Sequence, residues 1–253
     1  MKLQVRNTLS ELLLEALPAP EKVSAIQGLL AYCRAAEGQK STTVPFSKLA
    51  QYLPEVQHQT SNIEHRTWES GVGEEALKRL QALNLFQVQD GSIELLPEFQ
   101  TDLPAVRRRM EAYLKVLSHA GRDQEARGWG LEQAIRDAAL LFNEGLYFEF
   151  HELLEAFWMP EENEGQKRLL QGLIQIAVAF HHLFNKNYRG AFALLQDGLE
   201  KAQGSGPRFY GLRLDEFLEG VKTCLAALER DPHTFEPGFI PRMTVQGSGF
   251  EGC

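Results

Sequence analysis

The chain is poor in cysteine, in long apolar runs and in positive charge, and each shortage removes a class of function. Its three cysteines, Cys33, Cys224 and Cys253, lack the close spacing of a zinc site and cannot all pair within one chain. That fits a reducing compartment, and a cytoplasmic protein is expected. No stretch approaches the roughly 18 consecutive apolar residues of a membrane span, so no membrane partner is expected. The opening MKLQVRNTLSELLLEALPAPEK is an amphipathic pattern containing acids, not a basic start followed by an apolar signal core. The net charge of −8 is unevenly placed. Residues 119–253 hold 13 Lys/Arg against 20 Asp/Glu, whereas residues 1–118 are nearly neutral. An acidic half repels a phosphate backbone, which disfavours DNA as a partner and leaves it open only for the first half.

What is present is enough apolar material for one large core or two small ones: 43% of 253 residues are hydrophobic. Punctuation favours two. Helical periodicity covers 7–17, 21–37 and 45–53, interrupted by PAP and by GQKSTTVP, and 54–72 reads as a long polar loop. A helix over 74–86 leads into FQVQDGSIELL, which alternates around Asp90-Gly91 as a hairpin does. A further helix spans 103–117. We therefore expect a mainly α protein: an N-terminal winged-helix-like α+β domain over 1–118 with a hairpin near 86–96, a linker at 119–129, an antiparallel helical bundle over 130–231, and an irregular tail, 232–253.

The order helix, helix, helix, hairpin over residues 21–97 resembles a winged helix. Reading DNA with it is disfavoured. The candidate recognition helix opens with Glu74 and Glu75, and the wing carries Asp90 and Glu94 with no Lys or Arg. A module that packs or contacts protein is the better expectation.

The second half predicts helices at 131–143, 147–158, 166–184, 188–203 and 213–230, with no strands among them. It also contains a faint repeat: LFNEGLYFEFHELLE and LFNKNYRGAFALLQ each place an Asn-containing turn before a Tyr and a Leu-Leu pair six residues after it. The offset, about 41 residues, suits stacked helical hairpins. Projected at 100° per residue, Tyr147, Phe150, Leu153, Leu154, Phe157 and Trp158 share one arc of their helix, and Glu149 reads as a water-facing acid. His151, Glu152 and Glu155 lie at the rim of the core. On the following helix Leu169, Leu173, Ile176 and Phe180 leave a narrow stripe of Arg168, Gln171, Gln175 and His182. His181 projects onto the apolar side as a packed histidine. A buried polar stripe asks for partners, so the expectation is one polar pocket made by His151, Glu152, Glu155, Arg168, Gln171, Gln175 and His182.

These same residues, Phe142–Glu155 with Trp158, Arg168–His182, Gly190-Ala191 and Leu194-Leu195, resemble the family of the domain of unknown function numbered 309, over about 135–200. The resemblance implies an all-helical bundle whose two neighbouring helices present the His/Glu and Gln/His sets. It supplies no activity and does not extend to residues 1–118. The acidic PEENEG connection is longer than the family pattern suggests. For the pocket, two glutamines and a histidine suit hydrogen bonding to a small ligand, peptide or protein partner. A divalent metal on His151, Glu155 and His182, or acid–base hydrolysis by Glu155 and His151, is the alternative. A ligand-sensing regulator that binds DNA through the first domain is a third. No cofactor is required by the sequence, and it does not determine the oligomeric state.

Overall fold

The computed structural model describes residues 1–39, 41–58, 72–120, 129–231 and 235–246. They fall into two compact units, Met1–Gly121 and Arg122–Cys253, each with its own core.

In the first unit α1 (Leu3–Ala16) repeats apolar residues every turn, and Val5, Leu9 and Leu13 are fully buried. Helix α2 (Ser24–Ala36) is buried around almost its whole circumference, as its run of Ala, Ile, Leu and Tyr requires. It packs against α3 (Phe46–His58), α4 (Val72–Ala82) and α5 (Leu103–His119). Strands β2 (Phe86–Gln89) and β3 (Ser92–Leu95) form the hairpin expected at Asp90-Gly91, where both residues take positive φ, 49° and 72°. This is the two-residue turn whose twist matches antiparallel strands. A third strand, β1 (Thr43–Pro45), pairs with β3 and gives the order β1-β3-β2. Its three residues are too few to show alternation, and only Val44 is buried, so GQKSTTVP reads as a mere break. Tyr32 joins helix to sheet: its hydroxyl donates to Thr42 O at 2.7 Å and accepts from Leu95 N at 2.8 Å. Burial, the largest influence on it, pushes the phenol up to about 12.

Several boundaries in this unit differ from expectation: α1 begins at Leu3 rather than 7 and α2 at Ser24 rather than 21, after a 3-10 turn over Pro20–Val23. Helix α3 continues to His58 through Pro54, where a loop was expected from 54 onward; a proline costs a helix one donor and need not end it. The rest of that loop, 59–71, lies outside the described residues. Helix α4 ends at Ala82 rather than 86, because Asn84 adopts φ 55° and redirects the chain into β2.

The second unit stacks two helical hairpins, α6 (Leu131–Asn143) with α7 (Tyr147–Trp158), and α8 (Glu164–Phe184) with α9 (Tyr188–Ala202), and closes them with α10 (Leu214–Arg230). The sequence repeat is a repeat of turn chemistry. After α6, Gly145 takes φ 72°, its N–H reaches Phe142 O at 3.0 Å, and Leu146 N reaches Leu141 O at 2.9 Å. After α8, Lys186 takes φ 59°, its N–H reaches Leu183 O, and Asn187 N reaches His182 O, both at 2.9 Å. Each is a left-handed stop that satisfies the last carbonyls of one helix two residues before the Tyr that starts the next. Around Phe142 four rings stand edge-on or nearly so: Tyr147 at 5.1 Å, Phe150 at 5.7 Å, Phe180 at 5.5 Å and Phe217 at 5.1 Å.

Two details depart from the sequence reading. Residues 130–231 do contain strands: β4 (Arg208–Phe209) and β5 (Leu212–Arg213) pair, and Leu212 also bridges Val245. Two-residue strands leave no periodic trace. The described part of the tail has one short 3-10 turn, Pro237–Phe239, and one isolated bridge, and it is held to the bundle. Met243 exchanges hydrogen bonds with the Asn143 amide, at 2.8 and 2.9 Å, and is buried together with Val245. Glu149 is fully buried rather than facing water, because α7 has neighbours on more sides than one apolar arc suggests.

Asp137 on α6 is likewise fully buried, where it accepts from Trp129 Nε1 at 3.1 Å and Gln133 Nε2 at 2.9 Å. Burial outweighs these bonds and raises its carboxyl from 3.8 to about 6. The folded protein therefore holds this proton more tightly than the unfolded chain. Its stabilising share is complete below pH ~4 and is lost as pH rises through ~6, a linked change of about 3 kcal/mol. Urea unfolding should show wild type losing more stability than Asp137→Asn between pH 4 and pH 7. Parallel pH profiles for the two proteins would refute the assignment.

Candidate metal centre and the adjoining groove

Residues His151, Glu155 and Trp158 follow at i, i+4 and i+7 on α7, so they lie along one stripe. Glu152 stands beside it. The His151 ring bridges the two acids, with Nδ1 3.3 Å from Glu152 Oε1 and Nε2 3.5 Å from Glu155 Oε2. The Phe148 ring lies beside the imidazole in an edge-to-face arrangement, ring centroids 6.4 Å apart. One ligating atom from each of His151, Glu152 and Glu155 lies within 4.8 Å of the others, and all three side chains are partly open to solvent. The cluster therefore has both donors and access.

The α8 stripe divides along its length. Its lower part opens on a groove of about 500 Å³ between the end of α7, the start of α8 and the end of α9. Trp158 forms one wall. Lys167, Arg168 and Gln171 of α8, with Glu164 at its first turn, form the floor, and Glu200 and Lys201 of α9 close the far side. Arg168 is tied to Glu200, through its carbonyl at 3.3 Å and its carboxylate at 3.7 Å. Lys167 Nζ donates to Glu161 O at 3.0 Å. The groove sits where α8 and α9 cross with backbones touching. A Cβ on Gly172 would lie 2.7 Å from Gly198 O and 3.2 Å from Lys201 Cβ, so this crossing carries Lys201 to the groove.

The upper part of the stripe serves the α8–α9 turn. His182 Nδ1 accepts from Asn187 Nδ2 at 2.9 Å, and Asn187 Oδ1 caps α9 at Gly190 N. Arg168 and His182 are fourteen residues apart, about 21 Å along the axis at 1.5 Å per residue. The single pocket expected to join them is therefore corrected: a helical projection shows azimuth and hides axial distance. His182 also gives way to Glu152 as the third member of the metal set read from sequence. His181 is half-buried, with Asn185 Nδ2 3.2 Å from its Nε2. Lys167, Glu164, Glu200 and Lys201 were missed, since nothing in the local pattern announces that α9 returns beside α8.

Two polar atoms near these sites are buried without a hydrogen-bond partner among the described residues, Trp158 Nε1 and Gln175 Oε1. Trp158 itself, expected in the core, is only partly buried. An unsatisfied buried carbonyl costs about 1–3 kcal/mol. Gln175→Leu should accordingly leave the thermal midpoint unchanged or raise it. A marked drop would reveal a polar network centred on this residue.

The Bacillus subtilis (strain 168) uncharacterized protein YpuF is 36% identical to this chain over 85 residues, 33% of the chain and 49% of that protein. An uncharacterized protein of Aquifex aeolicus (strain VF5) is 24% identical over 155 residues, 61% of the chain and 42% of that protein. The chain thus spans about half the length of one of these relatives, or less. Residues 135–194, running from α6 into α9 through the His151 cluster and the α8 stripe, match the family described as Domain of unknown function (DUF309).

Proposed function

We propose that the helical unit is a binding module and that α7 holds a divalent transition-metal ion through His151, Glu152 and Glu155. The observation that carries this reading is the mutual approach of their three donor atoms within 4.8 Å. Around an ion with bonds of about 2.0–2.2 Å, neighbouring donors stand roughly 3.3–3.6 Å apart, so small carboxylate rotations complete the set. Imidazole with two carboxylates suits zinc, manganese or iron(II). Only one ring nitrogen can ligate. The carboxylate now beside the other nitrogen turns to the ion to complete the three donors, and that nitrogen is left to solvent. Three protein donors at a solvent-accessible place leave coordination positions for water or a ligand, as in exchangeable rather than closed structural sites.

Equilibrium dialysis of the purified chain against zinc or manganese tests this. One ion per chain is expected, lost in His151→Ala and in Glu155→Gln while circular dichroism stays that of the wild type. Undiminished uptake by both variants would sink the proposal. For the first unit, the protein-contact reading is retained: its hairpin turn and β3 carry Asp90 and Glu94, and the hairpin has no Lys or Arg.

A further inference from the structure

The groove beside the α7 cluster has an excess of hydrogen-bond donors over acceptors. Arg168 neutralises Glu200, and Glu164 lies in the first turn of α8, where the helix dipole favours a negative charge. Lys167 and Lys201 then outnumber Glu164, so the lining carries a net charge of +1 inside a half of the chain whose net charge is strongly negative. The Lys201 ammonium and the Gln171 amide line the groove and lack an acceptor among the described residues; the Trp158 indole N–H lacks one too but is buried behind the wall. Two donor groups without acceptors on one concave surface are complementary to a ligand rich in acceptor oxygens. The groove is open to solvent and has a volume of about 500 Å³, room for the head of a small molecule. The indole offers such a ligand an apolar wall as well.

We propose that this groove receives the oxyanion head, phosphate or carboxylate, of a small organic molecule, and that the head is shared with the metal ion on α7. The second clause rests on the metal reading above; the first does not. Trp158 stands three residues beyond Glu155, about 4.5 Å further along the same helix stripe, so the groove begins where the cluster ends. An oxyanion seated there extends toward the open coordination positions of the ion. Metal and oxyanion then favour each other's binding, because each supplies opposite charge to the other.

Nuclear magnetic resonance of the nitrogen-15-labelled full chain tests both clauses. The Trp158 indole N–H signal is identified by its loss in Trp158→Phe. Phenyl phosphate, benzoate and benzyl alcohol share a ring and differ in the head. Phenyl phosphate or benzoate, whichever carries the preferred head, should shift that signal saturably in metal-free protein, whereas benzyl alcohol should not. Lys201→Met should weaken the response by about tenfold, the loss of one charge-assisted hydrogen bond. An equal response to benzyl alcohol, or none to either anion with and without zinc, overturns the oxyanion groove. Zinc should tighten the preferred anion in wild type and leave its affinity unchanged in His151→Ala. Zinc that binds without altering anion affinity overturns the sharing. Anion binding in a protein that takes up no zinc leaves the groove standing and overturns both the metal reading and the sharing.

Discussion

Replacing Phe142 with alanine should lower the unfolding free energy of the helical unit by about 3–5 kcal/mol, the range for large-to-small changes at a buried aromatic. Phe142 is 1% exposed and its ring meets four others, so truncation leaves a cavity walled by Tyr147, Phe150, Phe180 and Phe217. These come from three other helices, α7, α8 and α10, which cannot all close inward without breaking their own packing. Phe180→Ala should cost a similar amount. The double variant should cost less than the two together, because the rings share one contact and one cavity. Urea unfolding followed by far-ultraviolet circular dichroism measures each loss. A cost under about 1 kcal/mol for either would mean that the ring cluster is not the centre of the core.

The second large effect runs against helix propensity. Alanine is favoured over glycine inside a helix by about 1 kcal/mol, and Gly198 lies inside α9. Yet a Cβ at Gly198 would meet Ile176 Cγ1 at 2.7 Å, Gly172 O at 2.8 Å and Ile176 N at 3.2 Å. Two of these three atoms belong to the α8 backbone and cannot rotate away. Gly198→Ala therefore forces the helices apart, and overpacking of this kind costs about 1–3 kcal/mol or more, enough to outweigh the propensity gain. Gly172→Ala should behave alike, since its Cβ would meet Gly198 O at 2.7 Å. Once one alanine has separated the helices, the second should cost little, so the pair should be strongly non-additive. A thermal midpoint that rises in either single variant would show that the crossing is looser than described.

Much of the helical unit could be read directly from its residues. The apolar spacing marked α6, α7, α9 and α10 to within a residue or so and α8 to within two, and the repeated Asn-containing turns marked where two hairpins fold back. The membership of the core was legible for Phe142, Phe150, Leu173, Ile176 and Phe180, all at 1% exposure or less. Burial there follows from one helix's own periodicity. The same reasoning failed for Glu149 and Trp158, whose surroundings depend on which neighbours arrive. It failed too for β1 and for the β4–β5 pair, because strands of two or three residues are defined by partners and not by alternation.

For the site the division is the same. His151, Glu152 and Glu155 come together because Glu155 is i+4 to His151 and i+3 to Glu152 on a single helix, spacings that need no tertiary contact to meet. That cluster, the turn chemistry at Gly145 and Lys186, and the hairpin at Asp90-Gly91 are local, and the sequence by itself determined them. The groove was decided only by tertiary structure: Lys201 and Gln171 line one groove because two glycines some 26 residues apart let α8 and α9 touch. The separation of His182 from Arg168 was decided there as well, by the 21 Å or so of helix between them. Local spacing sets what a single element presents. Close packing between elements sets which of those side chains share a space.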